Sequence, residues 1–284
     1  MGQPAIDLLG LGADVEWPSF AAAAVVRDAA DARYGRLAEW AEWLAGVQDA
    51  ADPRSPARVR CVVFGTLSAA AAAVAEAVDV GIREVAVDPA ATVPDAFAQG
   101  IAAADAEVDG GADLIVVADR DEPAAAALLV SLLAGVEPVA LLPRGPAAVD
   151  TAAWIARAEY LRDARRAAAA ARNDPAGLLA VLGHAPLAAT TGFLLRACAR
   201  RTPLVLDGPA VAAAALAAHH VQSRCDRWWR FADAAADPVH ARVVAELSQR
   251  PMLDLATTTG DGTAGLLCVP LLRAAVRTHD NRQQ

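Results

Sequence analysis

The sequence predicts an α/β protein: a three-layer, mostly parallel sheet flanked by helices, preceded by an N-terminal helical segment. Two observations carry this expectation. Short runs rich in β-branched residues recur between long alanine-rich stretches, and strands that alternate with helices build parallel βαβ units with helices on both sheet faces. Hydrophobic residues make up 56% of 284 positions, enough for a sizeable core, and with aromatics at 5% small side chains must fill most of it.

Taken in order, residues 1–50 read as the helical segment. Positions 31–48 place Leu37, Trp40, Trp43, Leu44 and Val47 on one helical face, a stripe that suits core packing or a subunit contact better than a cofactor platform. A proline-containing linker, Asp52-Pro53-Arg54-Ser55-Pro56, leads into an α/β domain over 57–284. Its strands are expected at 59–64, 84–88, 114–118, 136–142, 204–207 and 252–255, and helices between them at 68–79, 94–108, 123–134, 149–172, 187–200 and 209–220. Asp174-Pro175 and Asp237-Pro238 each offer a cap followed by proline in the first helical turn.

The charge and residue content exclude several functions. A net charge of −9 argues against nucleic acid as a partner, because phosphate backbones need a basic surface. The chain has no lysine, which rules out Schiff-base chemistry and a lysine-dependent phosphate loop. Cys61, Cys198, Cys225 and Cys268 are widely spaced and read as buried free thiols of a reducing compartment, not zinc ligands. His219 and His220 are adjacent and cannot share a helix face as metal ligands, while His184 and His240 read as capping or surface residues. The N-terminus lacks the basic start of a signal peptide, and the longest apolar run, 123–136, is too short to span a membrane. The expectation is a soluble, cytoplasmic protein with no metal and no membrane or nucleic-acid partner.

In open parallel sheets, ligands bind beyond the carboxyl ends of the strands, so loops that follow strands are the places to look for chemistry. Thr257-Thr258-Thr259-Gly260-Asp261-Gly262-Thr263 follows the 252–255 strand and precedes a helix from about 264. Gly260 and Gly262 let the backbone approach a ligand, and the free N–H groups of the next helix can hold an anion. By pattern alone, Gly-Asp-Gly is equally an ordinary turn. Asp207-Gly208 ends another strand, with Asp207 either a helix cap or a ligand contact. Asp119-Arg120-Asp121-Glu122 is an acidic loop after a third strand, which also reads as a solvated helix cap.

With these loops placed, the chain resembles one family, the nicotinate-nucleotide:dimethylbenzimidazole phosphoribosyltransferases of cobalamin assembly. Pro251-Met252-Leu253-Asp254-Leu255 is similar to the family's Pro-x-Leu-Asp-Leu strand, and Gly260-Asp261-Gly262-Thr263 stands where the family has Gly-Glu-Gly-Thr. Positions 203–208 resemble its Pro-hydrophobic-Leu-Asp-Gly strand, and Asp237-Pro238-Val239-His240 its Glu-Pro-Gly-His. Gly35-Arg36-Leu37-Ala38-Glu39 and Asp79-Val80-Gly81 match in the same order, so the resemblance covers most of 33–277.

The resemblance implies transfer of phosphoribose from nicotinate mononucleotide to a benzimidazole base, with inversion, no cofactor, and a homodimer whose contact includes the tryptophan-bearing helix. It places Asp261 as general base at the family's glutamate, one methylene shorter, provided burial raises its pKa toward neutrality. It assigns Asp119, Arg120, Arg157, Asp207, Gly208, Gly260, Gly262 and Thr263 to substrate binding. The chain departs from the family at the phosphate end. The glycine-rich phosphate loop falls at 118–124, which here reads Ala-Asp-Arg-Asp-Glu-Pro-Ala; Gly65-Thr66-Leu67-Ser68 replaces an Asp-His-Gly motif; Arg157 stands for a lysine; and Gly183-His184-Ala185-Pro186 replaces Gly-Gly-x-Glu. Two readings of the family member follow. One is a transferase with a modified site, in which Arg120 or Arg157 meets the phosphate. The other is a degenerate paralogue that binds a related ligand or joins an active homologue in a heteromer. A third reading, accidental similarity, predicts the 118–124 and 257–263 loops on opposite ends of the sheet.

Overall fold

The computed structural model describes residues 8–120, 123–143 and 150–280. Its elements run α1 (Leu8–Ala13), α2 (Phe20–Asp28), α3 (Arg36–Gln48), β1 (Val59–Phe64), α4 (Ala69–Ala77), β2 (Gly81–Val85), α5 (Val93–Asp109), β3 (Leu114–Asp119), α6 (Pro123–Leu133), α7 (Thr151–Ala168), α8 (Pro175–Leu182), α9 (Ala185–Ala199), β4 (Leu204–Asp207), α10 (Pro209–Val221), β5 (Trp229–Phe231), α11 (Pro238–Glu246) and α12 (Thr263–Asp280).

The five strands form one parallel sheet in the order β2-β1-β3-β4-β5. The strands β1, β3 and β4 are near-continuous apolar runs because both of their faces are covered, as parallel sheets require. On one side α12 packs against α3, α4, β3 and β4; on the other α10 packs with α6, α9, β3 and β4. Phe64 pairs with Asp119, and Ala118 with Asp207, so three strand ends finish at nearly the same level. The order reverses between β1 and β3, which makes their carboxyl ends the topological switch point.

Several sequence expectations need correction. Residues 136–142 are not a strand: Pro138–Leu141 forms a 3-10 turn, because proline fixes φ and offers no N–H to a sheet ladder. The 84–88 strand begins earlier, at Gly81, and ends before Asp88-Pro89. The 252–255 strand reduces to an isolated bridge between Asp233 and Leu253 beside β5, itself a three-residue strand too short for periodicity to reveal. The tryptophan stripe of α3 faces inward as one of its two expected roles requires, with Trp40, Trp43, Leu44 and Val47 buried in a core that α3 shares with α2 and α12. Both expected caps form: Asp174 and Asp237 accept hydrogen bonds from the first turns of α8 and α11.

The closest helix pairing is α5 on α9. A Cβ placed on Gly100 would lie 1.9 Å from the Ala189 carbonyl oxygen, and one on Gly192 2.5 Å from the Phe97 carbonyl oxygen. Gly100→Ala gains helix propensity, about 1 kcal/mol, but overpacking costs about 1–3 kcal/mol and against backbone falls at the upper end. Urea denaturation should show the variant less stable than wild type; an equal or higher midpoint would contradict this packing.

Candidate active site

The carboxyl ends of β1, β3 and β4 converge with the 257–263 loop. Gly208, at φ +96°, and Gly260, at φ +55°, meet back to back: a Cβ on Gly208 would lie 2.4 Å from the Gly260 Cα. Neither position accepts a larger residue, because each needs both a positive φ and the missing side chain. A Cβ on Gly260 would also lie 3.5 Å from the Asp119 carbonyl oxygen, and one on Gly262 3.3 Å from Cys61 Sγ and 3.4 Å from Ala118 Cβ. The 257–263 loop and the Asp119–Arg120 turn therefore share one end of the sheet, whereas accidental similarity would put them at opposite ends. Asp121 and Glu122 lie outside the described residues.

Among the described residues four aspartates are buried at this edge, Asp119, Asp207, Asp233 and Asp261, each with different partners. The Thr190 hydroxyl on α9 donates to Asp119 Oδ2 at 2.7 Å. Asp207 Oδ2 accepts the Gly265 backbone N–H at 3.2 Å, so Asp207 anchors the first turn of α12. Burial is the main reason its pKa rises to about 6; neighbouring Asp261 and Asp233 push the same way, and the N–H groups of Gly265 and Ala264 only partly offset them. Asp261 Oδ2 accepts the Ser68 hydroxyl at 2.5 Å, and its Oδ1 accepts the Thr259 hydroxyl at 3.0 Å and the Thr263 N–H at 3.1 Å. Burial alone pushes the Asp261 carboxyl up, but the bonds from Ser68, Thr263 and Thr259 outweigh it and leave its pKa below the ordinary aspartate value. The expectation of a base raised toward neutrality thus describes Asp207 and not Asp261.

A cavity of about 340 Å³ opens at the switch point, lined by Phe64, Gly65, Thr66, Asp119, Arg120 and Pro186 among others. Arg120 is exposed at this cavity, and its Nη1 donates to the Thr66 carbonyl at 3.2 Å. Neither Asp207 nor Asp261 is among the residues that line the cavity; Asp261 borders the β1 loop through Ser68. Arg157 is exposed on α7, a helix that packs on α6 and α8.

Sequence reasoning missed the residues that hold these groups. Ser68 caps α4, accepting from the Ala71 N–H at 3.0 Å, and at the same time donates to Asp261. Asp233, just past β5, accepts from the N–H groups of Leu255 and Thr257 and from the Thr257 hydroxyl, fixing the start of the 257–263 loop. His184 caps α9 through Nδ1 as expected, but His240 is not a surface residue. Its ring lies 5.3 Å from Phe231, and burial pushes its pKa down to about 4, so it is neutral. Among the described residues the four cysteines are free and buried, no carboxylate, histidine and cysteine cluster suits a metal, and no helix is long and apolar enough to cross a membrane.

Comparison with known proteins adds a lineage to this geometry. A family model described as phosphoribosyltransferase matches residues 57–284. A nicotinate-nucleotide–dimethylbenzimidazole phosphoribosyltransferase of Mycobacterium avium is 43% identical over 183 residues, 64% of this chain and 52% of that protein. The protein of the same name from Streptomyces avermitilis is 39% identical over 182 residues, 63% of this chain and 48% of that one. The chain thus spans about half the length of the curated relatives it matches. The crystal structure of CobT from Thermus thermophilus superposes with a TM-score of 0.77 at 25% identity, covering 92% of this chain and 96% of that one.

The raised Asp207 pKa has a consequence for stability. Between the ordinary value of 3.8 and about 6, the native protein binds more protons at Asp207 than the unfolded chain does. That contribution to stability is therefore present at low pH and is lost as pH rises through this window. Asp207→Asn keeps an acceptor for Gly265 but cannot ionise. Relative to wild type it should gain about 2 kcal/mol between pH 4 and pH 7, measured by urea unfolding. Parallel pH–stability curves for the two proteins would contradict the assignment.

Proposed function

The chain belongs to the phosphoribosyltransferase family that includes the nicotinate-nucleotide–dimethylbenzimidazole enzymes, and on that premise we propose that it transfers phosphoribose from nicotinate mononucleotide to a benzimidazole-type base. The observation that carries the proposal is the position of its cavity. It opens at the switch point between β1 and β3, lined by Asp119 and Arg120, and the Asp119 carbonyl in turn lies against Gly260 of the loop that bears Asp261. At about 340 Å³ it falls within the range of small-molecule sites, roughly 300–1,000 Å³.

In the proposed reaction a ring nitrogen of the benzimidazole attacks C1′ of the ribose. The C1′–N bond to nicotinate breaks, and its electron pair returns to the pyridine nitrogen, which leaves uncharged. The attacking base gives up its N–H proton to Asp261. Ser68, Thr259 and Thr263 orient that carboxylate and keep it ionised, so it holds the N–H of the incoming base rather than competing for a proton with solvent. Arg120 supplies the positive charge that draws the substrate phosphate to the cavity mouth, replacing the glycine-rich backbone cradle of the family. Gly208, Gly260, Gly262 and Thr263 shape the floor beside Asp261, and Asp119, held by Thr190, faces the ribose. Arg157 serves as a second cation for the phosphate. The enzyme works on small molecules in the cytoplasm, as a homodimer.

Purified protein given nicotinate mononucleotide and dimethylbenzimidazole should release nicotinate, and Asp261→Ala should lower the rate by about 10²–10⁴-fold. Because the Asp261 pKa lies below the ordinary value, wild-type turnover should show no acidic limb near pH 6. Absence of nicotinate release from wild type would overturn the proposal. An acidic limb at about 6 would move the base role to Asp207.

A further inference from the structure

Away from the carboxyl edge, four arginines converge on a second cavity of about 290 Å³. Arg36, Arg227, Arg230 and Arg250 line it together with two carboxylates, Glu39 and Asp226. It lies between α3, the turn that precedes β5, and the end of α11. Arg230 pairs in register with Val205, so the cavity flanks the outer edge of the sheet at mid-strand, not its carboxyl end.

The positive charges here are only partly matched. Asp226 lies 3.1 Å from Arg227, and Glu39 stands 3.9 Å from Arg36. Arg230 and Arg250 have no carboxylate within 4.0 Å among the described residues, which leaves an excess of two positive charges. The Arg230 guanidinium lies 4.8 Å from the Trp43 ring centroid, and its one hydrogen bond among the described residues goes to the Trp229 carbonyl. Arg36 lies 5.1 Å from the Trp40 ring centroid, donates to the carbonyls of Met252 and Pro251, and has a buried Nε that makes no hydrogen bond, its nearest carboxylate being Glu39 at 3.9 Å. Like charges held in one partly desolvated cavity are unfavourable unless a counter-anion joins them. The pKa directions agree with this geometry. Burial and then Arg227 push Arg230 down to about 10 against the smaller opposing effects of Asp226, Glu42 and Glu39, and burial and then Arg250 push Arg36 down against Glu39.

We propose that this arginine cavity is a second anion site, separate from the carboxyl edge, that takes a doubly charged phosphate group. Arginine suits this ligand because its planar fork of N–H donors matches phosphate oxygens, and tryptophan faces pre-orient two of the forks. A phosphate dianion matches the two-charge excess, and the cavity leaves room for the group that bears it.

The test uses calorimetric titration at constant ionic strength in buffer free of phosphate and sulfate. The double variant Arg120→Ala/Arg157→Ala serves as the background, because it removes both cations proposed to hold the phosphate at the carboxyl edge. Inorganic phosphate should still bind this protein saturably at one site. Adding Arg250→Gln or Arg227→Gln, both at exposed positions, should weaken binding about tenfold or more. Ribose 5-phosphate titrated in parallel separates the two sources of the group, and both results uphold the site. Tighter binding than inorganic phosphate assigns it to a phosphorylated metabolite, and weaker binding to the free ion. No saturable heat in the double variant, or an affinity unchanged by both glutamine substitutions, would overturn the proposal.

Discussion

The end of β4 and the 257–263 loop can occupy one place only because Gly208 and Gly260 lack side chains. Their backbones touch, both at positive φ, and no other residue type satisfies both demands. Everything at the carboxyl edge follows from that contact. It brings the start of α12 under β3 and β4, where a Cβ on Gly265 would lie 2.5 Å from Val116, and presents the Gly265 N–H to Asp207. Asp233 fixes the other end of the loop through Leu255 and Thr257, so the segment that carries Asp261 is held at both ends in addition to its own hydrogen bonds.

The same arrangement divides the work among buried carboxylates in a chain that is already acidic. A carboxylate with three donors stays ionised, and one with backbone N–H groups but deeper burial drifts toward neutrality. Asp261 is the first kind and Asp207 the second, although they share one strand edge. Their mutual repulsion widens the difference, since ionised Asp261 is among the causes that raise Asp207. An edge that keeps one carboxylate charged at a fixed position suits a reaction whose incoming base must surrender a proton.

Much of this was legible in the sequence, for physical reasons. The runs at β1, β3 and β4 are apolar on both faces, and that pattern is what a doubly covered parallel strand needs. Asp207 and Asp261 stood out because each sits next to glycine where a β segment gives way to a helix. The partners were not legible. Ser68 lies 193 residues from Asp261, and nothing about a serine that caps a helix reveals a second bond across the sheet. The order of the two pKa values was also hidden, because it depends on counting donors around each carboxyl. The strand at Trp229–Phe231 was missed because three residues carry no period, and Val136–Leu142 misled because Pro138 forbids the ladder its neighbours favour. The arginine cavity draws on positions 36, 227, 230 and 250, which only folding unites.

The proposed reaction requires the ribose C1′, the incoming base and Asp261 to meet at the carboxyl edge, where Gly260 of the Asp261 loop lies against Asp119 at the cavity wall. A crystal structure with nicotinate mononucleotide and a benzimidazole bound tests it most directly. Both ligands should lie at the cavity lined by Phe64, Thr66, Asp119 and Arg120, with a benzimidazole N–H directed at the Asp261 carboxylate. Ligands bound instead at the opposite end of the sheet, in the cavity of about 500 Å³ beside Asp113, Thr202 and Trp228, would contradict it.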